Sequence, residues 1–94
     1  MTVTIGDITF DRVRYDAHGD VLYLHRAEPA TAVEFDASPE GHHLRLDADG
    51  RLIGVTIVNA KYLLEHEGKI VLTLPDRIEV GPEALNAAFA APSP

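Results

Sequence analysis

Cysteine is absent, which removes disulfides, thiol nucleophiles and thiolate metal sites together. Serine is nearly absent. Ser38 falls in a loop and Ser93 in the tail, and neither sits in a Gly-x-Ser-x-Gly elbow. There is no P-loop and no Gly-x-Gly-x-x-Gly fingerprint. No apolar run approaches the ~20 residues of a membrane span. The opening MTVTIGDITF lacks the basic-then-apolar pattern of a signal peptide, so a cytoplasmic protein without a membrane partner is expected. Positive charge is scarce: 8 basic residues stand against 15 acidic ones, a net charge of −7. That balance lacks the footprint of nucleic-acid binding and suits a basic partner protein instead. Protonating all five histidines would move the formal charge from −7 to −2, which favours association near about pH 5 to 6.

Hydrophobic residues make up 46% of the 94 positions, as in an ordinary folded globule. The chain reads as one domain over residues 1–94, with a core over about 10–75, a helix over about 82–90 and a frayed tail at 91–94. A chain this short buries only roughly two-thirds of its unfolded surface, so dimerisation would widen its stability margin.

The stretch from Gly41 to Ala60, GHHLRLDADGRLIGVTIVNA, specifies a hairpin. Asp47 suits the start of a type I turn, because its carboxylate accepts nearby backbone N–H groups. Gly50 suits the left-handed position that completes a three-residue loop. This register predicts Asp47 opposite Arg51, Leu46 opposite Leu52, Arg45 opposite Ile53, Leu44 opposite Gly54 and His43 opposite Val55. Ile53, Val55 and Ile57 then share one face with Arg45 and His43, while Leu44, Leu46, Leu52 and Val58 share the other. A strand apolar on both faces reads as central. It also motivates a homodimer in which a second copy meets Ile53, Val55 and Ile57. Gly54 reads as a bulge or as room for a neighbouring ring, with close approach of a ligand as the alternative.

Asp16-Ala17-His18-Gly19 repeats the turn pattern, with Gly19 as its turn glycine. The same register predicts Tyr15 opposite Val21, Arg14 opposite Leu22 and Val13 opposite Tyr23. Val13, Tyr15, Val21 and Tyr23 become core candidates, and Arg12 and Arg14 share the other face with Leu22 and Leu24. Thr2–Ile5 and Ile8–Phe10 are short strands joined by Gly6-Asp7 as a tight hairpin or a wide bend. Residues 27–40 read as a long connection with a short edge strand at Thr31–Asp36. Asn59–Gly68 is a helix with Asn59 as N-cap and Gly68 as stop, or else a third hairpin; the helix is preferred. Lys69–Leu74 is a strand stopped by Pro75-Asp76. Gly81-Pro82-Glu83 opens a helix with Leu85, Ala88 and Phe89 as its apolar stripe.

Chemistry is sparse. The predicted register sets Asp16 opposite Asp20, where like charges repel. With His18 between them, this trio is the one candidate metal site. The structural alternative has Asp16 capping its own turn and Asp20 pointing to water. Asp47 to Gly50 does not have the spacing of a calcium loop. His42 and His43 point to opposite faces and cannot chelate one ion; one of them could join His25 from another strand in a zinc site, but three or four convergent ligands are not visible, and solvated or tucked histidines are the favoured reading. No cofactor is expected.

The run FDRVRYDAHGDVLYL (Phe10 to Leu24), followed by LDADGRLIGVTIVNAKYLL (Leu44 to Leu64), resembles the small bacterial YuzE-like domain of unknown function. Tyr15, Asp16, Asp20, Leu22 and Tyr23, then Asp47, Gly50, Gly54, Ile57 and Asn59, carry the likeness. It implies a small β-rich α+β fold with no assigned catalytic residues, and some members look like partners of small toxin proteins. The fold expected overall is α+β: an antiparallel sheet of four to six strands built from hairpins, with one or two short helices. The expected function is a self-associating interaction module. The alternatives are a neutraliser of a basic toxin-like protein and a small metal-dependent enzyme using Asp16 and Asp20.

Overall fold

Short apolar runs separated by turn signals fold into nine strands and two helices among the described residues, which are 2–26, 32–73 and 76–89 of the computed structural model. In chain order these are β1 (Val3–Ile5), β2 (Ile8–Phe10), β3 (Arg12–Asp16), β4 (Val21–His25), β5 (Glu34–Ala37), β6 (His43–Leu46), β7 (Leu52–Val58), α1 (Ala60–Glu67), β8 (Ile70–Thr73), β9 (Arg77–Val80) and α2 (Pro82–Phe89). A five-stranded antiparallel sheet has the order β3-β4-β7-β6-β5, and β1-β2 and β8-β9 are separate two-stranded hairpins. The fold is α+β, as the sequence implies. None of the described helices is long and apolar enough to cross a membrane.

β7 is central, but not for the expected reason. Leu46 pairs with Leu52 as predicted, then the register slips so that Arg45 pairs with Gly54, Leu44 with Val55 and His43 with Thr56. Ile53 is the extra residue of a β-bulge, which one inserted residue produces in an antiparallel pair. Arg26, the residue after β4, holds this place: its backbone N–H donates to the Ile53 carbonyl at 2.9 Å and its Nε–H to the Leu52 carbonyl at 2.7 Å. The apolar run Leu52-Ile53 therefore marks a bulge, not a strand apolar on both faces. Beyond it β7 alternates: Val55 and Ile57 point inward, and Gly54 and Thr56 outward.

The first hairpin is also one residue off the predicted register. Asp16 pairs with Val21, Tyr15 with Leu22, Arg14 with Tyr23, Val13 with Leu24 and Arg12 with His25. Its loop has four residues, Ala17 to Asp20, and the left-handed position is Asp20 at φ 55°, not Gly19. Val13 and Tyr15 thus share the inner face with Leu22 and Leu24, while Val21 and Tyr23 are on the outer face.

One apolar cluster fills the inner side. Tyr15, Leu22, Leu24, Val55 and Ile57 from the sheet meet Val3, Ile5 and Phe10 from the β1-β2 hairpin. Leu64 of α1, Ile70 and Leu72 of β8, and Leu85 and Ala88 of α2 complete it. Leu85 and Ala88 are the buried stripe expected of α2, and Phe89 sets its ring edge-on to Tyr15 at 4.8 Å. Gly6-Asp7 is the tight hairpin of the two alternatives, since Ile5 pairs with Ile8. The edge strand expected at Thr31–Asp36 is Glu34–Ala37, with Thr31 outside the described residues, as are Leu74, Pro75 and the tail. β9 was not anticipated, because four residues with charges at Arg77 and Glu79 carry little strand signal.

Two glycines that look alike in sequence now differ. Gly50 has φ 79° and Gly19 lies outside the left-handed region. A Cβ at Gly50 meets nothing within 4 Å, and at Gly19 its nearest contact is Asp16 Oδ2 at 3.4 Å. Gly50→Ala should therefore cost about 1–2 kcal/mol through backbone strain alone, with Gly19→Ala within ~0.5 kcal/mol of wild type. Thermal melts of the two variants check this, and equal melting temperatures would contradict the turn assignment.

Candidate functional site

Asp16, His18 and Asp20 are not brought together as ligands. Asp16 Oδ1 accepts the His18 backbone N–H at 3.0 Å, closing its own turn. Asp20 does something different. Its Oδ1 accepts the Tyr15 hydroxyl at 2.7 Å and the Lys61 N–H at 2.8 Å, and its Oδ2 accepts the Tyr62 N–H at 3.0 Å. Its backbone carbonyl accepts the Ala60 N–H at 3.1 Å. These are the first amides of α1, which have no partner inside the helix. Asn59, the expected N-cap, is left-handed at φ 58° and makes no side-chain cap bond. Asp20 caps the helix from a distant hairpin instead. No group of three His, Asp or Glu side chains suited to a metal occurs among the described residues.

The electrostatics follow from those bonds. Burial acts to raise the Asp20 pKa, but the Tyr15 hydroxyl, the Lys61 and Tyr62 amides and the Lys61 charge outweigh it and hold the carboxyl below its ordinary 3.8. Burial first, then the Asp20 carboxylate, pushes the Tyr15 phenol up from 10.0 to about 12. Both shifts stabilise the fold across neutral pH. The Asp20 contribution is present above pH 3.8 and lost as pH falls through its lower folded value. The Tyr15 contribution is present below pH 10.0 and lost as pH rises towards about 12. Asp20→Asn keeps the left-handed preference but sets an NH2 group against an N–H or O–H donor. It should cost about 1–3 kcal/mol in denaturant unfolding and bring the slowest-titrating tyrosine below its wild-type pKa in ultraviolet titration. Wild-type stability together with an unmoved tyrosine would refute this role.

The other candidates have structural duties. His42 is only 3% exposed, and its Nδ1 accepts the Val58 N–H at 3.2 Å. Burial lowers its pKa below 6.5, against the charge of Glu40, so this neutral imidazole stabilises the fold above that pH and ceases to as pH falls. Asp47 uses Oδ1 to accept the Asp49 and Arg51 N–H groups and Oδ2 to meet Arg51 Nε at 3.1 Å. Val55 and Ile57 are 1% and 0% exposed beneath the chain's own hairpins and helices, and Ile53 is 4% exposed. The cover expected from a second copy is thus supplied by the chain itself.

The outer face of the sheet is different. Across its strands one row runs Arg12, His25, Gly54, Arg45 and Phe35, and the next runs Arg14, Tyr23, Thr56, His43 and Ala37. All are exposed or half-buried except Gly54. Arg12, Arg14, Tyr23, His25, Arg45, Gly54 and Thr56 of these rows line a groove of about 530 Å³, and among the described residues its acidic lining residue is Asp11. The Arg14 guanidinium lies 4.1 Å from the Tyr23 ring centroid, and that of Arg45 lies 5.5 Å from Phe35. Three of the chain's eight basic residues thus share one face. The expected registers conceal this face, because they set Arg14 opposite Leu22 and Arg45 opposite Ile53, where the structure pairs them with Tyr23 and Gly54. The signal lay in the alternation Arg-x-Arg, Tyr-x-His, His-x-Arg and Gly-x-Thr.

Gly54 is fixed by packing. A Cβ there would sit 2.7 Å from His25 Cδ2 and 3.3 Å from Arg45 Cβ, so the imidazole occupies the space the missing side chain leaves. The expected room for a neighbouring ring is filled by His25. Gly54→Ala should cost about 1–3 kcal/mol from this overlap, and adding His25→Ala should recover most of the loss. A double-mutant cycle with no coupling between the positions would exclude this packing.

Residues 12–61 match the family described as protein of unknown function (DUF2283). No curated protein and no solved structure matches the chain. The matched segment is more than half of the chain and contains the whole five-stranded sheet with both outer-face rows, Tyr15 and Asp20. The chain therefore belongs to this family of unknown function.

Proposed function

We propose that this chain is a binding module, not a catalyst, and that it works through the outer face of its central sheet on an anionic ligand. The observation that carries this is the gathering of Arg12, Arg14 and Arg45 on one sheet face of a chain with net charge −7. A local positive field in an acidic protein selects oppositely charged ligands. The chemistry of the site agrees. Arginine does not give up its proton near neutral pH, so these groups bind charge and do not act as acid or base. Ser38 Oγ accepts the His42 backbone N–H, a structural use.

The YuzE-like kinship belongs to the same proposal, along with a cytoplasmic location. A basic partner protein is a second reading. It would meet the rest of the surface, where Glu34, Asp36, Asp49, Glu65 and Glu67 are exposed. Self-association keeps a weaker motive in β3 and β5, the two edge strands of the sheet.

Amide chemical shifts of the labelled protein, titrated separately with polyglutamate and polylysine, compare the readings. Polyglutamate should shift Tyr23, Gly54 and Thr56, and the Arg12→Gln/Arg14→Gln/Arg45→Gln triple variant should lose that response. Shifts confined to α1 and β5 with polylysine, and none with polyglutamate, would favour the basic partner.

A further inference from the structure

We infer that the groove on the outer sheet face is a site for a small flat-ring oxyanion, a ring compound bearing a phosphate or carboxylate. This rests on the reading of that face as an anion-binding surface and names its ligand. Size is the first argument. Arg12 on β3 and Arg45 on β6 stand three strand spacings apart, about 14 Å. Between them lie Gly54, which has no side chain, and the His25 ring packed against it. The resulting space of about 530 Å³ falls within the range of small-ligand sites.

The floor is the second argument. The His25 ring, lying against Gly54 in the middle of the groove, offers a flat surface that favours a flat partner over a flexible chain. The walls are the third. Stacking on Tyr23 and Phe35 fixes the faces of the Arg14 and Arg45 guanidiniums and leaves their in-plane N–H edges to donate. Among the described residues neither arginine has an ion pair. Two N–H donors on a planar edge match two oxygens of one carboxylate or phosphate.

Charge range decides between a small ligand and a polyanion. Screening at physiological salt limits electrostatic reach to about 8 Å. An anion seated in the groove is governed by the nearby arginines. An extended polyanion meets the same arginines but runs on beyond them over a chain of net charge −7, so it binds this face more weakly than a small anion does.

The full chain, isotope-labelled, is titrated at neutral pH and physiological salt with adenosine monophosphate, benzene-1,3-dicarboxylate, adenosine, inorganic phosphate and polyglutamate. At least one ring-bearing anion should give saturable shifts at Tyr23, Gly54 and Thr56, with affinity tenfold or more above both adenosine and phosphate. Which of the two ring anions binds tells phosphate from carboxylate. Arg14→Gln and Arg45→Gln should each weaken binding about tenfold, and Arg14→Lys should recover only part of it, because charge without the planar edge is insufficient. Wild-type spectral dispersion in these variants shows that they fold, and full wild-type affinity in Arg14→Lys would remove the planar-edge argument. If polyglutamate saturates the face while no ring anion does, the small-ligand inference is overturned and the anion-binding reading stands. If no anion shifts these amides, both fall.

Discussion

The opening turn of α1 has amide N–H groups with no partner inside the helix, and a carboxylate about forty residues earlier in the chain takes up two of them. Asp20 reaches them only because it stands in a left-handed conformation at the end of the β3-β4 loop. The Tyr15 hydroxyl fills the remaining role on the same carboxylate, and the Tyr15 ring packs edge-on against Phe89 of α2. The Tyr15–Asp20 pair thus joins the first hairpin to both helices. The positive end of the helix dipole favours a negative charge there. Tyr15 and Asp20 therefore form a joint that holds the fold.

The bulge at Ile53 has a comparable reach. One added residue moves Gly54 to the outer face, opposite His25 and Arg45, and moves Val55 to the inner face beside Leu44. Without it the arginine of β6 would face an isoleucine and the groove would have no floor. The inner face gains a regular apolar row, and the outer face becomes polar and basic. This single irregularity separates what holds the fold from what is offered to a ligand.

Element types were legible from the residues because turn chemistry and apolar spacing are local. Gly50 ends its loop as its neighbours require, and Pro82 opens α2. Registers were less legible, because a one-residue change in loop length exchanges the two faces of a strand. Asp-x-x-Gly gave the second loop correctly but not the first, where a distant helix decides which residue turns left-handed. The candidate site was hidden for the same reason. Arg12 and Arg14 were assigned a face with leucines, and only the observed pairing brings them beside Tyr23, His25 and Arg45. The sequence sends His42 and His43 to opposite faces but does not say which is tucked; the structure buries His42.

The sheet order places β4 beside β7, so residues 26–51 must loop out before these strands can meet. The β5-β6-β7 meander and the β3-β4 hairpin each join close neighbours in sequence, but their union does not. Closing that loop costs roughly 3 kcal/mol of chain entropy. Until it closes, the apolar sides of Leu22, Leu24, Val55 and Ile57 have no sheet to complete, and Asp20 is far from the helix it caps. One non-local encounter therefore completes the sheet, seats the helix and assembles the arginine face together. The groove has no independent existence in either half of the chain; it comes into being with the cooperative event that makes the domain.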